Sequence, residues 1–238
     1  MKQKIFLVVV MIMSAALLLP AQTSFGRGRG NGGNGTGDCI NLPQLPNEDV
    51  SQAEREYLLT MREEEKLARD VYNYLAARWE LRVFSQIAVS ESKHMEAIKT
   101  LLDKYLIPDP VGEDVPGLFS RSDFQELYAM LTSAGSASIL EALKVGATIE
   151  DLDISDLLKA IAAADSQDIL TVFQNLAKGS RNHLRSFVSH LQSLQFIYVP
   201  QYISQELFDS IINSDPEHGS YDATGTPNGQ GNNGDWSD

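Results

Sequence analysis

Glu91-Ser92-Lys93-His94 sets a carboxylate and an imidazole three residues apart, a spacing that puts both on one face of an α-helix. The apolar positions Ile87, Ile98, Leu101 and Tyr105 repeat with the helical period, and Glu91 and His94 fall on the same stripe. Both side chains are therefore aimed at a core. A charged carboxylate is costly to bury unless something pairs with it, and a metal ion is the leading candidate.

The elements that must hold this pair follow from the same periodicity. A first long helix begins after Asn47 or Ser51 and runs to about Trp79, with the stripe Leu58, Met61, Glu65, Ala68, Tyr72, Leu75 and Trp79. Of its three consecutive acids Glu65 fits the stripe, Glu64 lies on its shoulder and Glu63 points to solvent. Glu63 and Glu64 read as a solvated run paired with Arg62 or Arg69. A short turn at Glu80 to Arg82 leads to the second helix, about Phe84 to Leu106, which makes the two antiparallel neighbours. Pro108-Asp109-Pro110 then opens a long connection that holds Pro116-Gly117 and a small helix from Ser122 to Thr132.

A third long helix is expected from about Ser136 to Ala163, with Leu143, Gly146, Glu150, Asp153 and Leu157 on its stripe. A fourth follows the turn at Asp165-Ser166 and runs to about Gln195, its stripe holding Phe173, Leu176, Ser180, His183 and Phe187. Short, long and short connections describe an all-α four-helix bundle made of two hairpins and a crossover. A short helix near Ser204 to Asn213 is expected to pack back on it. Each long helix then brings ligand-type groups to mid-length: Glu65, Glu91 with His94, Glu150 with Asp153, and His183. Carboxylates that can bridge two cations, beside neutral imidazole donors, make up the carboxylate-bridged di-iron or di-manganese sites of such bundles. His190 lies about 10.5 Å along the helix from His183, too far for the same centre.

Composition bounds the rest. Lys2 and Lys4 precede the apolar run Ile5 to Leu19 and then Pro20-Ala21-Gln22-Thr23-Ser24, the pattern of a secretory signal over residues 1–25. Export to the periplasm or the extracellular space follows, with no membrane attachment after cleavage. Residues 26–46 form a flexible Gly-rich leader, 47–213 the helical domain and 214–238 a disordered tail. A formal charge of −13 disfavours nucleic acid and anionic lipid. Cys39 is the only cysteine, so a disulfide framework, a Cys-x-x-Cys pair and a rubredoxin-type iron site are excluded. A homodimer is left open.

Three runs resemble the ferritin-like superfamily, within it the rubrerythrin-type di-iron domains. Glu65-x-x-Ala68-x-x-x-Tyr72 is similar to the pattern of a ligand Glu, a small residue and a Tyr, Glu91-x-x-His94 to the first Glu-x-x-His pair, and Glu150-x-x-Asp153 to the paired carboxylates of the third helix. More narrowly, Arg62 to Tyr72 and Gly179 to Arg185 resemble a family of microbial, exported ferritin-like domains of unknown function. The resemblance implies a ferritin-like bundle holding iron on Glu65, Glu91, His94, Glu150, Asp153 and His183, with Tyr72 a hydrogen-bond donor to a ligand carboxylate. It also implies oxidation of Fe(II) by dioxygen or peroxide, a ferroxidase or peroxidase type of oxidoreductase protecting against oxidative stress. Ser180 departs from the pattern, standing where the second Glu-x-x-His pair has its Glu; Asp153 or Asp156 is a candidate to supply the missing charge. That gap keeps open a site of one metal, and a non-catalytic manganese or zinc module or a helical interaction scaffold.

Overall fold

The computed structural model describes residues 49–228. The signal, the leader, Cys39 and the last ten residues of the tail lie outside them. Six helices make up most of the described chain: α1 (Gln52–Trp79), α2 (Arg82–Lys104), α3 (Ser122–Gly135), α4 (Ile139–Ala163), α5 (Gln167–Ser193) and α6 (Gln205–Ile212). A two-residue hairpin, β1 (Ser220–Tyr221) with β2 (Pro227–Asn228), closes it. Among the described residues no helix is long and apolar enough to cross a membrane.

The helices start where side chains can satisfy their first N–H groups. At α1, Ser51 Oγ accepts from the Glu54 N–H while the Glu54 carboxylate accepts from the Ser51 N–H, a reciprocal cap. Ser138 and Ser204 cap α4 and α6 through their hydroxyls. Helix α1 packs along α2, and α4 along α5; α1 also meets α4, and α2 meets α5. The four long helices thus close on one another as two hairpins joined through the connection that carries α3.

The core is not continuous. One apolar cluster gathers Leu67, Val71, Phe84 and Phe187, and another gathers Leu58, Ile98, Leu157 and Phe173. Each long helix contributes to both, and between them each passes through a buried polar band.

The connection between α2 and α4 covers a face of α1 that a bare four-helix bundle leaves wet. Here the expectation that Glu63 and Glu64 form a solvated run is corrected. Glu63 is 1% exposed, and its Oε1 accepts from the Ser120 N–H at 2.8 Å and the Ser120 hydroxyl at 2.9 Å. Glu64 is buried too. Arg62 holds Asp109 bidentately, and Arg69 bonds Asp70 and Asp114. Lys66, fully buried, donates to Asp70 and to the Val115 carbonyl, and lies 4.6 Å from the Phe119 ring centroid. Burying a lysine this deeply is tolerable only with such full pairing.

Residues 214–228 do not continue as the disordered stretch their composition predicts. They lie along α5, where Asn175 and Asn182 pair with the backbone of Tyr221 and Glu217 while Arg181 and Arg185 hold the Glu217 carboxylate.

Candidate metal centre

Four helices deliver the polar band. Glu65 comes from α1, Glu91 and His94 from α2, Glu150 and Asp153 from α4, and His183 from α5, and Glu65, Glu91, Glu150 and Asp153 are all buried. Two groups of three can each surround one ion: Glu65, Glu91 and His94, and Glu91, Glu150 and His183, with ligand atoms in each group within 4.8 Å of one another. Glu91 belongs to both.

Its two oxygens divide between them. Glu91 Oε2 lies 2.7 Å from His94 Nδ1, which also lies 3.1 Å from Glu65 Oε2. Glu91 Oε1 lies 2.8 Å from His183 Nδ1, which lies 3.4 Å from Glu150 Oε2. On the second side the 2.8 Å ion-pair contact is not aligned as a hydrogen bond. Glu91 Oε1, Glu150 Oε2 and His183 Nδ1 are all buried, and none has an aligned hydrogen-bond partner. Atoms that crowd one point without aiming at each other are arranged as ligands of a common ion are; three unsatisfied polar atoms in a dry core are otherwise expensive. The imidazoles stack with ring centroids 5.6 Å apart and use the same nitrogen, Nδ1, toward the carboxylates.

Tyr72 fixes one ligand. Its hydroxyl donates to Glu150 Oε1 at 2.6 Å, which leaves Oε2 facing His183. Burial, with the Glu150 charge beside it, pushes the Tyr72 hydroxyl well above its ordinary value, so it stays a donor.

The ionisation of the cluster without a cation shows the strain of collecting acids. Burial, opposed by His94 and helped by Glu91, pushes Glu65 up to about 8. Burial raises Glu150 as well, against the pull of His183. For Glu91 burial is outweighed by His183 and His94, which hold it below the usual carboxylate range. Burial opposes protonation of the imidazoles, yet Glu65 and Glu91 raise His94 well above its ordinary value, and Glu91 and Glu150 raise His183 to about 10. Protons stand in where cations would.

The structure thus brings Glu65, Glu91, His94, Glu150 and His183 into one cluster with Tyr72 against it. Asp153 is not a member of either group. It lies buried one turn beyond Glu150, and burial together with the charges of Glu150, Glu65, Glu64 and Glu91 raises it well above its ordinary value. Ser180 is buried and its hydroxyl turns back to the Leu176 carbonyl at 3.2 Å. His190 is apart, bonded through Nδ1 to the Ser186 carbonyl. One residue the periodicity did not single out is Gly179: a Cβ there would come within 2.5 Å of His94 Cε1 and 2.6 Å of Nε2. A glycine inside a helix costs about 1 kcal/mol against alanine and so asks for a packing reason. Here the reason is room for the His94 ring.

Fold and site define a helical protein with a buried carboxylate–histidine cluster at its centre. Residues 54–215 match the family described as an uncharacterized protein domain, DUF2202, and the chain belongs to that family. It is 53% identical over 178 residues to the uncharacterized protein MJ0754 of Methanocaldococcus jannaschii, a span of 75% of this chain and 96% of that protein. The crystal structure of hypothetical protein MJ0754 from Methanococcus jannaschii superposes with a TM-score of 0.72 at 54% identity, covering 73% of this chain and 99% of that one.

Proposed function

We propose that this chain is an exported, ferritin-like protein whose buried cluster holds a pair of metal ions, iron foremost, and that it oxidises Fe(II) with dioxygen or peroxide. The observation that carries the reading is the sharing of Glu91, one oxygen to each ligand group, with the unaligned atoms of Glu91, Glu150 and His183 around the second position. Glu65 and His94 would hold one ion, Glu150 and His183 the other, with Glu91 between them. A pair of iron ions supplies two electrons in one step, which is what reduction of peroxide to water requires.

The protein's own groups supply the rest. Tyr72 orients Glu150 by donating to its far oxygen. The apolar clusters on either side exclude water from the carboxylates. Asp153, beside the cluster and raised by it, is a buried carboxyl placed to carry a proton. Export rests on the run from Lys2 to Ser24.

A second reading, a metal that only locks the bundle, is favoured by one observation: Ser180 offers the cluster no ligand, so Glu91 is the sole carboxylate shared by both groups. Metal content of the mature protein, purified without chelators, tests both, beside Glu91→Ala and His183→Ala. Two irons per chain, lost in both variants, and ferric absorbance after anaerobic Fe(II) loading and oxygen are expected. Zinc or manganese that raises the melting temperature, with no oxygen consumed on Fe(II) loading, would move the assignment to the locking metal. No metal in any of them, even after reconstitution, would overturn both.

A further inference from the structure

The two ligand groups meet on Glu91 alone, and each offers three atoms. First-row divalent ions take about four to six donors, so each position is short of ligands.

The shortage faces α5. Ser180 precedes His183 by three residues and so shares its helix face, yet it is buried with its hydroxyl spent on the Leu176 carbonyl. Beside it Gly179 has no side chain, and the His94 ring lies against the bare backbone. Glu91 Oε1, Glu150 Oε2 and His183 Nδ1 are the unpartnered buried atoms on this side. The imidazoles are also the least buried of the ligands, with side chains 12% and 11% exposed against 0–3% for the carboxylates, so solvent approaches along their edge.

Building on the metal-pair reading, we propose that this edge is a binding site for a small planar oxyanion of the formate, acetate or bicarbonate class. The anion acts as a second bridge where no protein carboxylate reaches. Its two oxygens supply one further donor to each ion. The buried Ser180 and the His94 ring bound this edge.

The probe is Co(II), whose visible absorption reports its ligands, loaded into the mature chain and titrated with formate, with inorganic phosphate as the tetrahedral control. The parent is expected to bind two Co(II), to change its absorption saturably with formate, and to retain the metal against a chelator at least about tenfold longer. Ser180→Ala is expected to respond like the parent, because the hydroxyl is not a ligand. Ser180→Glu brings its own carboxylate and is expected to bind two Co(II) with no response to formate. Two bound Co(II) with no response to formate, or a response to phosphate instead, overturns the oxyanion site and leaves the metal pair standing. A response lost in Ser180→Ala overturns it too, by assigning the edge to the hydroxyl, and this holds even where Ser180→Glu does not fold. Failure of the parent to bind Co(II), with or without formate, removes the metal pair and this site with it.

Discussion

Glu150 and Asp151 are consecutive residues, both with no exposed surface, and their environments are opposites. Asp151 accepts from the Tyr198 hydroxyl at 2.9 Å and from the N–H groups of Gln201, Tyr202 and Ile203, which pins the chain between α5 and α6 onto α4. Glu150 has one donor, Tyr72, and its other oxygen faces His183 across 3.4 Å without a hydrogen bond. Burial alone therefore does not mark a metal ligand. What separates the two acids is whether the fold supplies the donors or leaves an oxygen for something it does not contain.

The largest effect expected from that contrast is on stability without metal. In chelator-treated protein, Asp151→Ala should cost about 3–5 kcal/mol in urea unfolding, because it strands several buried N–H groups at once. Glu150→Gln should change the same quantity by less than about 1 kcal/mol, since it relieves carboxylate crowding and its amide oxygen can still accept from Tyr72. Their order should reverse in metal retention, kept by Asp151→Ala wherever it folds and lost by Glu150→Gln. Equal stability losses in the two variants would break the contrast.

Glu54 sharpens it as a second acid satisfied by its own fold. Burial works against its charge, but the N–H groups of Ser166, Ser51 and Asp165 outweigh it and hold the carboxyl down at about 2, against 4.5 ordinarily. A folded value below the unfolded one gives stability that is fully present above about 4.5 and is lost as pH falls toward 2. Glu54→Gln cannot titrate, so the parent should exceed it by about 2–3 kcal/mol at neutral pH. That margin should vanish by pH 2 in paired urea titrations. A margin independent of pH would place the effect in packing rather than charge.

The cluster's acids and imidazoles should behave the other way, as groups whose protons are displaced by a cation. His94 and His183 stand above their ordinary values and Glu65 near 8, so protons occupy them at neutral pH when no metal is bound. Metal needs them deprotonated, so affinity should rise with pH, about tenfold per unit for each proton displaced. Calorimetric titrations of Mn(II) in two buffers of different ionisation enthalpy count those protons. A count of zero at pH 7 would mean that the ion binds elsewhere.

Much of this site was legible in the sequence because helical period is a strong signal over long elements. Glu65, Glu91, Glu150 and His183 each sat on a stripe whose apolar members are mostly buried, and the stripe alone aimed them inward. What period could not read was the covering of α1 by a connection with little regular structure. Glu63 points away from the bundle axis as expected, but it meets Ser120 there instead of water. Nor could period tell Asp153, which reaches no ligand group, from Glu150 one turn earlier on the same stripe. That difference lies in how far a carboxylate extends and in where Tyr72 holds its neighbour.

The smallest expected effect lies on the outer face of α5, behind the histidine. Glu217 accepts from Arg181 at 2.8 and 2.6 Å, from Arg185 at 3.1 Å and from the Tyr221 hydroxyl at 3.0 Å. Asn182 pairs with both backbone groups of Glu217, and Asn175 with both of Tyr221, in the manner of a neighbouring strand. The polar residues flanking His183 in the Gly179 to Arg185 run thus hold the tail, while His183 itself turns inward. These contacts are half-wet, so Glu217→Ala should lower global stability by only about 1 kcal/mol. Its effect should be local: amide exchange should quicken at Glu217 and Tyr221, whose N–H groups the asparagines hold, while the amides of α1 and α2 keep their protection. Metal retention should not change, because the tail grips the face of α5 opposite the one that presents Ser180 and His183. A variant that exchanges faster around His94 or loses metal would show that the strap positions α5 against α2, and the two faces of that helix would then have to be treated as one device.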